Sequence, residues 1–318
     1  MRSERGFALL SVMLVLALLA VVVTEFAMST RLESSMIRAY RDGVLAIHLA
    51  EAGVQQALRE ILGPATVVAL DADGTLTFYR TSDPAATPVK VSHLPRQKVP
   101  LGAGEFSYRI SDEEARINVN TATPDRIASL LSSVGLDKQT RDVVGDSLQD
   151  WKDPDDLHRA NGAESEDYYL KLPVPYRARN GALQDTAELL QIRGVTREIY
   201  TGAEGRPGLA DLVTVVGRDT VNMNTAAPGV LTALGLSAAE ISEIVSARAR
   251  APYATVPARF AGKGLGVGSA TFRIEAEGRV GGELRARLVA IVQRQAQLAV
   301  TGAASFKTAV LSWRPAEP

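Results

Sequence analysis

RGFALLSVMLVLALLAVVVT, residues 5–24, decides the architecture, because it is either a signal that is removed or the beginning of a helix that stays. From Phe7 to Thr24 no residue carries a charge. At ~1.5 Å per residue that run is about 27 Å of helix, close to the ~30 Å hydrocarbon core of a bilayer. Arg2 and Arg5 outweigh Glu4 ahead of it, which predicts a single pass with the N-terminus cytoplasmic and the bulk of the chain outside. A removed signal would end at small residues such as Ala27-Met28-Ser29, a weak site. Beyond that point Leu32, Met36, Ile37, Tyr40, Val44, Leu45, Ile47, Leu49, Val54, Ala57, Leu58 and Ile61 recur mostly every three or four residues until Gly63-Pro64. The spacing predicts one retained helix from Phe7 to Leu62, apolar all round in its first third and amphipathic afterwards.

The 318 residues suffice for about two domains, and the net charge of −1 gives no overall bias toward nucleic acid. The absence of cysteine excludes disulfides, thiolate zinc sites and cysteine nucleophiles. His48, His93 and His158 are too scattered for a metal or triad motif, and no Gly-x-Ser-x-Gly, phosphate-binding loop or His-Glu-x-x-His occurs. Carboxylates are plentiful, but they are expected in one flexible loop with no apolar wall to separate their pKa values, so no enzyme is expected.

After the helix the pattern turns to strands. Thr66 to Leu70 and Thr75 to Tyr79 flank Asp71-Ala72-Asp73-Gly74, residues 81–104 read as a long loop, and Glu105 to Ser111 alternates. Thr271 to Val280 and Glu283 to Val292 flank Gly281-Gly282 as a two-residue hairpin, and Phe306 to Trp313 can close the sheet. A long helix on an antiparallel sheet is an α+β arrangement. Sheet-forming sequence is expected at 63–111 and 271–318.

Between these blocks lies helical, turn-rich sequence, expected as a first insertion domain over 112–218 and a second repeat over 219–270. It contains a duplication: Ile117-Asn118-Val119-Asn120-Thr121-Ala122-Thr123-Pro124 returns as Val221-Asn222-Met223-Asn224-Thr225-Ala226-Ala227-Pro228, each copy followed by a helical stretch and Gly-Leu. The asparagines and threonines are suited to tie off backbone groups and cap the helix that proline opens. Residues 189–200 hold a third turn of similar style. The pattern is similar to SAM-like and helix-hairpin-helix modules, which raises DNA binding as an alternative. From Asp112 to Arg250, however, 22 acidic residues face 15 basic ones, the wrong sign for phosphate, so no nucleic acid is expected.

Residues 146–181 are densest in acid: Asp150, Asp153, Asp155, Asp156, Glu164, Glu166 and Asp167 crowd a segment read as a loop because it holds proline and Asn161-Gly162. Two readings fit it, a solvated acidic loop and a calcium site, since calcium takes oxygen ligands from irregular loops.

The leader, the glycine-phenylalanine step and the long helix resemble the type IV pilin and pseudopilin class. The DWKDPDDL, NGAESEDYYL and PYRARNG blocks and the duplicated insertion narrow the likeness to the general secretion pathway protein K (GspK) family of minor pseudopilins. The resemblance implies cleavage by prepilin peptidase between Gly6 and Phe7, with methylation of Phe7, so that residues 1–6 leave and the helix remains. The family lacks the glutamate that other pseudopilins carry five residues after the cut, where Ser11 stands here. It further implies a pilin-like fold with a helical insertion, anchorage in the inner membrane with a periplasmic bulk, and a place at the pseudopilus tip with I- and J-type minor pseudopilins, helping to start assembly. It also implies calcium held by Asp150, Asp153, Asp155 and Glu164, with Asp156, Glu166 and Asp167 as further candidates. A minor type IV pilus component would share the helix but not the duplication.

Overall fold

The computed structural model describes residues 3–63, 65–81, 86–203, 205–298 and 304–317. Met1 and Arg2 of the predicted leader and Pro64 of the predicted helix stop lie outside the described residues. Helix α1 runs unbroken from Ser3 to Ile61, and leader residues 3–6 continue into it without interruption. Its large apolar side chains from Leu9 to Val23 are all more than half exposed, whereas Ala46, Leu49, Ala50, Val54, Ala57 and Ile61 are buried. That second set is an i, i+3, i+4 stripe facing one surface.

The surface is a five-stranded antiparallel sheet in the order β14-β13-β12-β5-β4, built from β4 (Val99–Leu101), β5 (Gly104–Asp112), β12 (Thr271–Val280), β13 (Glu283–Leu298) and β14 (Ala304–Ala316). Phe106, Tyr108, Ile110, Phe272, Ile274, Ala276, Leu288, Ala290 and Val292 alternate inward to meet the helix stripe. Gly278 lets the backbones touch, because a Cβ there would collide with the carbonyl of Ala46. The Gly281-Gly282 turn has φ of +63° and +83°, which glycine alone adopts easily, as its hairpin reading requires. Strand β13 extends past the predicted Val292 because Gln293 to Leu298 pair with β14 beyond a bulge at Ile291/Val292.

The first predicted hairpin forms, as β1 (Val67–Leu70) and β2 (Leu76–Arg80), but it builds a separate three-stranded sheet with β3 (Val89–Lys90). The stretch 81–104 is therefore not all loop: it contains β3 and β4, paired through Tyr79–Lys90 and Val99–Phe106. Arg96 ties this small sheet to α1, donating to both Glu60 carboxylate oxygens, at 3.1 and 2.6 Å, and to the Leu76 carbonyl at 2.9 Å.

From Asp112 to Thr271 the chain leaves the large sheet and packs a second apolar core, running from Ile117 to Leu265. Its elements are β6 (Ile117–Asn118), α2 (Pro124–Ser133), α3 (Lys138–Lys152), α4 (Arg197–Thr201), β7 (Gly202–Ala203), β8 (Arg206–Pro207), α5 (Leu209–Leu212), β9 (Val213–Thr214), β10 (Val221–Asn222), α6 (Pro228–Ala233), α7 (Ala238–Arg248) and β11 (Leu265–Gly266). The two copies of the repeated block adopt the same local structure. β6 pairs in parallel with β9, and β10 with β11. The Asn118 side chain accepts from the Asn120 amide at 3.0 Å, and Asn222 accepts from Asn224 at 3.0 Å. Asn120 then donates to the carbonyls of Leu183 and Val215 and accepts from the Leu183 amide; Asn224 does the same with Tyr253 and Val267. The asparagines thus satisfy distant loops rather than the following helix. Capping falls to Thr123 in the first copy, and Ala227 supplies no side-chain cap in the second. Gly135 and Gly235, at φ +85° and +78°, end α2 and α6, and the amides of Leu136 and Leu236 reach back five residues to Leu131 and Leu231.

Candidate functional site

The insertion meets the sheet through three buried carboxylates of the DEE stretch. Asp112 accepts from Asn222 Nδ2 at 3.0 Å, Thr225 Oγ1 at 2.6 Å, Ser269 Oγ at 2.5 Å and the Glu114 amide at 2.8 Å. Glu113 takes Arg273 and Thr214, both at 2.6 Å, and Glu114 takes Arg218 at 2.7 Å and Thr271 at 3.1 Å. Burial pushes the Asp112 carboxyl up to about 6, against the lowering effect of its hydroxyl and amide donors and with a smaller contribution from the charge of Glu114. The joint lies where α1 ends: Asn222 Nδ2 also donates to the Val68 carbonyl at 3.0 Å, and β12 starts beside it.

The acidic segment does not begin as a loop. α3 continues through Asp150, Trp151 and Lys152, and Asp153 is its C-cap. The helix persists because Trp151 on this last turn is buried against Tyr169, ring centroids 5.3 Å apart, with Tyr176 at 6.3 Å. Asp150 shares that turn and is fully buried, so the expectation of a flexible loop without an apolar wall is overturned. Gly162 sits directly over the Asp150 carboxylate, leaving no room for a Cβ. Asp150 accepts from the Arg159 amide at 3.1 Å and from Arg159 Nη1 at 2.7 Å, and the same nitrogen donates to Asp153 at 2.6 Å.

Glu164 is 2% exposed; one oxygen accepts from the Ser165 amide at 3.3 Å and the other, Oε1, has no partner. Asp153 Oδ1 and Asn180 Oδ1 are likewise buried and unpartnered. Burial first, then repulsion from Asp150, Asp153 and Asp156, raises Glu164 to about 7, with the Ser165 amide opposing. The fold therefore brings Asp150, Asp153, Asp156 and Glu164 within electrostatic reach of one another. The other predicted residues are engaged elsewhere. Asp155 accepts from the Leu157 amide at 2.9 Å, Glu166 pairs with Arg177 at 3.3 Å on the surface, and Asp167 accepts from the Glu164 amide at 2.9 Å. Asn180, with φ of +49°, joins the cluster unforeseen, donating to the Asp155 carbonyl at 3.0 Å and to Asp156 at 3.1 Å.

Residues 108–205, which contain this cluster and the first repeat, match the family described as type II secretion system (T2SS), protein K. This stretch is similar to the protein K family of type II secretion. The chain is 30% identical over 220 residues to type II secretion system protein K of Pectobacterium carotovorum subsp. carotovorum, a match covering 63% of this chain and 61% of that protein. With the protein K of Pseudomonas aeruginosa it is 28% identical over 268 residues, covering 78% and 74%. The fold is similar to a chain in the GspK-GspI-GspJ complex of the enterotoxigenic Escherichia coli type 2 secretion system, with a TM-score of 0.58 and 19% identity over 91% of this chain and 99% of that one.

Within residues 108–205 the donor chemistry suits a hard divalent cation. Oxygen acceptors buried without a donor are costly, and Asp153 Oδ1, Glu164 Oε1 and Asn180 Oδ1 are three of them in one acidic cluster. The cage is not drawn together: among the described residues no three acidic or histidine side chains converge at metal-binding distance. The step expected to be processed lies at the other end of the molecule. Gly6 and Phe7 fall inside α1, Phe7 is 75% exposed, and Ser11 Oγ donates to the Phe7 carbonyl at 2.9 Å.

Proposed function

We propose that this chain is a minor pseudopilin of type II protein secretion, a structural subunit rather than a catalyst. In this reading α1 anchors it in the inner membrane with its N-terminus cytoplasmic. Prepilin peptidase cuts between Gly6 and Phe7, Phe7 is methylated, and the periplasmic part joins I- and J-type minor pseudopilins at the pseudopilus tip to help start assembly. The family match of residues 108–205 supports it. The observation that carries the tip position is the place of the joint: the insertion leaves and re-enters the sheet beside the C-terminal end of α1, opposite the exposed apolar end. Subunits stacked by parallel helices would meet that bulk from above, so this subunit fits at the end of a stack. The insertion is read as a duplicated SAM-like scaffold, and its acid excess disfavours DNA.

Calcium, when bound, would supply positive charge to the acidic cluster. Asp150, Asp153 and Glu164 would hold it, with Asp156 and Asn180 Oδ1 in support, while the Asp155 carboxylate is occupied by the Leu157 amide. Coupling of such a site to folding predicts that a chelator loosens the insertion.

The test is the intact mass of the chain co-expressed with prepilin peptidase and the I- and J-type proteins. A methylated chain beginning at Phe7 that co-purifies with both partners is expected. An N-terminus at Met1 or at residue 30, or no co-purification, overturns the reading.

A further inference from the structure

Six cations lie in or beside the acidic segment; four are committed elsewhere and a fifth, Lys171, points to solvent. Lys152 Nζ donates to the Val119 carbonyl at 2.8 Å, and Arg193 donates to the Gly162 carbonyl at 2.9 Å while lying over the Tyr168 ring. Arg177 pairs with Glu166 and Arg179 with Glu188, and Lys171 is exposed at the far end of a short 3-10 turn. Arg159 alone bridges two of the buried-side carboxylates, with Nη1 2.7 Å from Asp150 and 2.6 Å from Asp153. Its side chain is 44% exposed, so the guanidinium reaches inward from the surface and has solvent to return to. Its backbone amide holds Asp150 separately, at 3.1 Å, and needs no movement when the side chain leaves. Beside the bridge stand Asp153 Oδ1 and the 98%-buried Glu164 with its unpartnered Oε1, oxygens for which the guanidinium supplies no donor.

We infer that Arg159 is a tethered counter-ion: it holds Asp150 and Asp153 together and has to leave them before a divalent cation can use the same oxygens. The proposal rests on the calcium reading above and adds to it a competitor built into the chain. Two like charges brought together in a buried site repel unless a cation neutralises them, and a guanidinium and a metal ion do so with opposite consequences. The arginine satisfies one oxygen of each carboxylate and leaves Glu164 Oε1 unmet. A calcium ion, taking six to eight oxygens, would engage the remainder. The bridge keeps the segment folded when calcium is scarce and sets the concentration at which calcium takes over.

The experiment is calorimetric titration of calcium chloride into the full-length chain in detergent, chelator-stripped, as wild type, Arg159→Gln and Arg159→Lys. Loss of two charge-assisted hydrogen bonds from the competing state should tighten calcium binding about tenfold in Arg159→Gln. Arg159→Lys, a point charge without the bridging fork, should fall between the two. In chelator Arg159→Gln should melt below wild type, and saturating calcium should close the gap. Saturable binding in wild type with equal or weaker affinity in both variants overturns the counter-ion and leaves the calcium reading standing. No saturable heat in any of the three chains overturns both. If Arg159→Gln is unfolded in chelator and folds on adding calcium, the proposal is supported; if it stays unfolded in calcium, the Lys variant decides by the same criterion.

Discussion

Asn222 Nδ2 donates to Asp112 Oδ2 at 3.0 Å across the seam between insertion and sheet, and the same amide reaches the Val68 carbonyl of the small sheet, also at 3.0 Å. One side chain thus fastens three bodies of structure. Asn222→Ala should cost about 2–4 kcal/mol, because it leaves a buried carboxylate and a buried carbonyl short of donors. Equilibrium denaturation of the chain in detergent measures this; a loss under about 0.5 kcal/mol would show the seam held by packing alone.

The pH dependence of that seam follows from Asp112, whose carboxyl is raised from 3.8 to about 6. A carboxyl with a raised folded-state pKa binds its proton more tightly when folded. Its favourable contribution is therefore fully present below about 4 and is lost as pH rises through 6. Asp112→Asn should remove this dependence. Melting temperatures of wild type and variant, compared from pH 4 to 7, should diverge; parallel curves would contradict the assignment.

Arg96 and Glu60 form an ion pair with side chains only 8% and 4% exposed, completed by the Tyr108 hydroxyl, which donates to the same carboxylate. Removing one partner strands a buried charge. Arg96→Met should cost about 3–5 kcal/mol, and pairing it with Glu60→Gln should recover a large part of that. Equal stability of the single and double variants would mean that the charge of Glu60 is not what the loss exposes.

At the end of α1, Arg294 Nη1 donates to the carbonyls of Ile61 and Ala65 at 3.3 and 3.0 Å, and its guanidinium lies 4.5 Å over the Phe306 ring. A cation at a helix C-terminus meets both its open carbonyls and its dipole. Arg294→Met should lower stability by about 1–3 kcal/mol, with Arg294→Lys intermediate, read from the same denaturation curves.

Much of this architecture is visible in the chain before any coordinates. The stripe from Ala46 to Ile61 and the alternation of β5, β12 and β13 are local patterns, and each needs only one partner surface. The short strands escape such reading for a physical reason. β4 carries Pro100 opposite Glu105 and follows Lys98 at φ +50°, features that signal a loop but are tolerated on the edge of a sheet. In the acidic segment, composition identified the carboxylates and hid their burial. Asp150 is enclosed because Trp151 beside it finds Tyr169 and Tyr176, partners 18 and 25 residues ahead. Asn180 could not be foreseen, since its part depends on a left-handed backbone that brings it to the Asp155 carbonyl. The duplicated asparagines lay between these extremes: the repeat was plain, but the loops that Asn120 and Asn224 serve lie 29 to 95 residues away.

Three hydroxyls of α1 close on the helix itself four residues back: Ser11 on Phe7 at 2.9 Å, Thr24 on Ala20 at 2.7 Å and Thr30 on Phe26 at 2.8 Å. In hydrocarbon an open hydroxyl is a reason to seek a companion, and polar groups are a common means by which membrane helices recognise each other. At Ser11 the donor is already taken up by the Phe7 carbonyl, and only the oxygen's acceptor side remains. A helix segment that spends its hydroxyl donors on itself asks little of a neighbour, in lipid most of all.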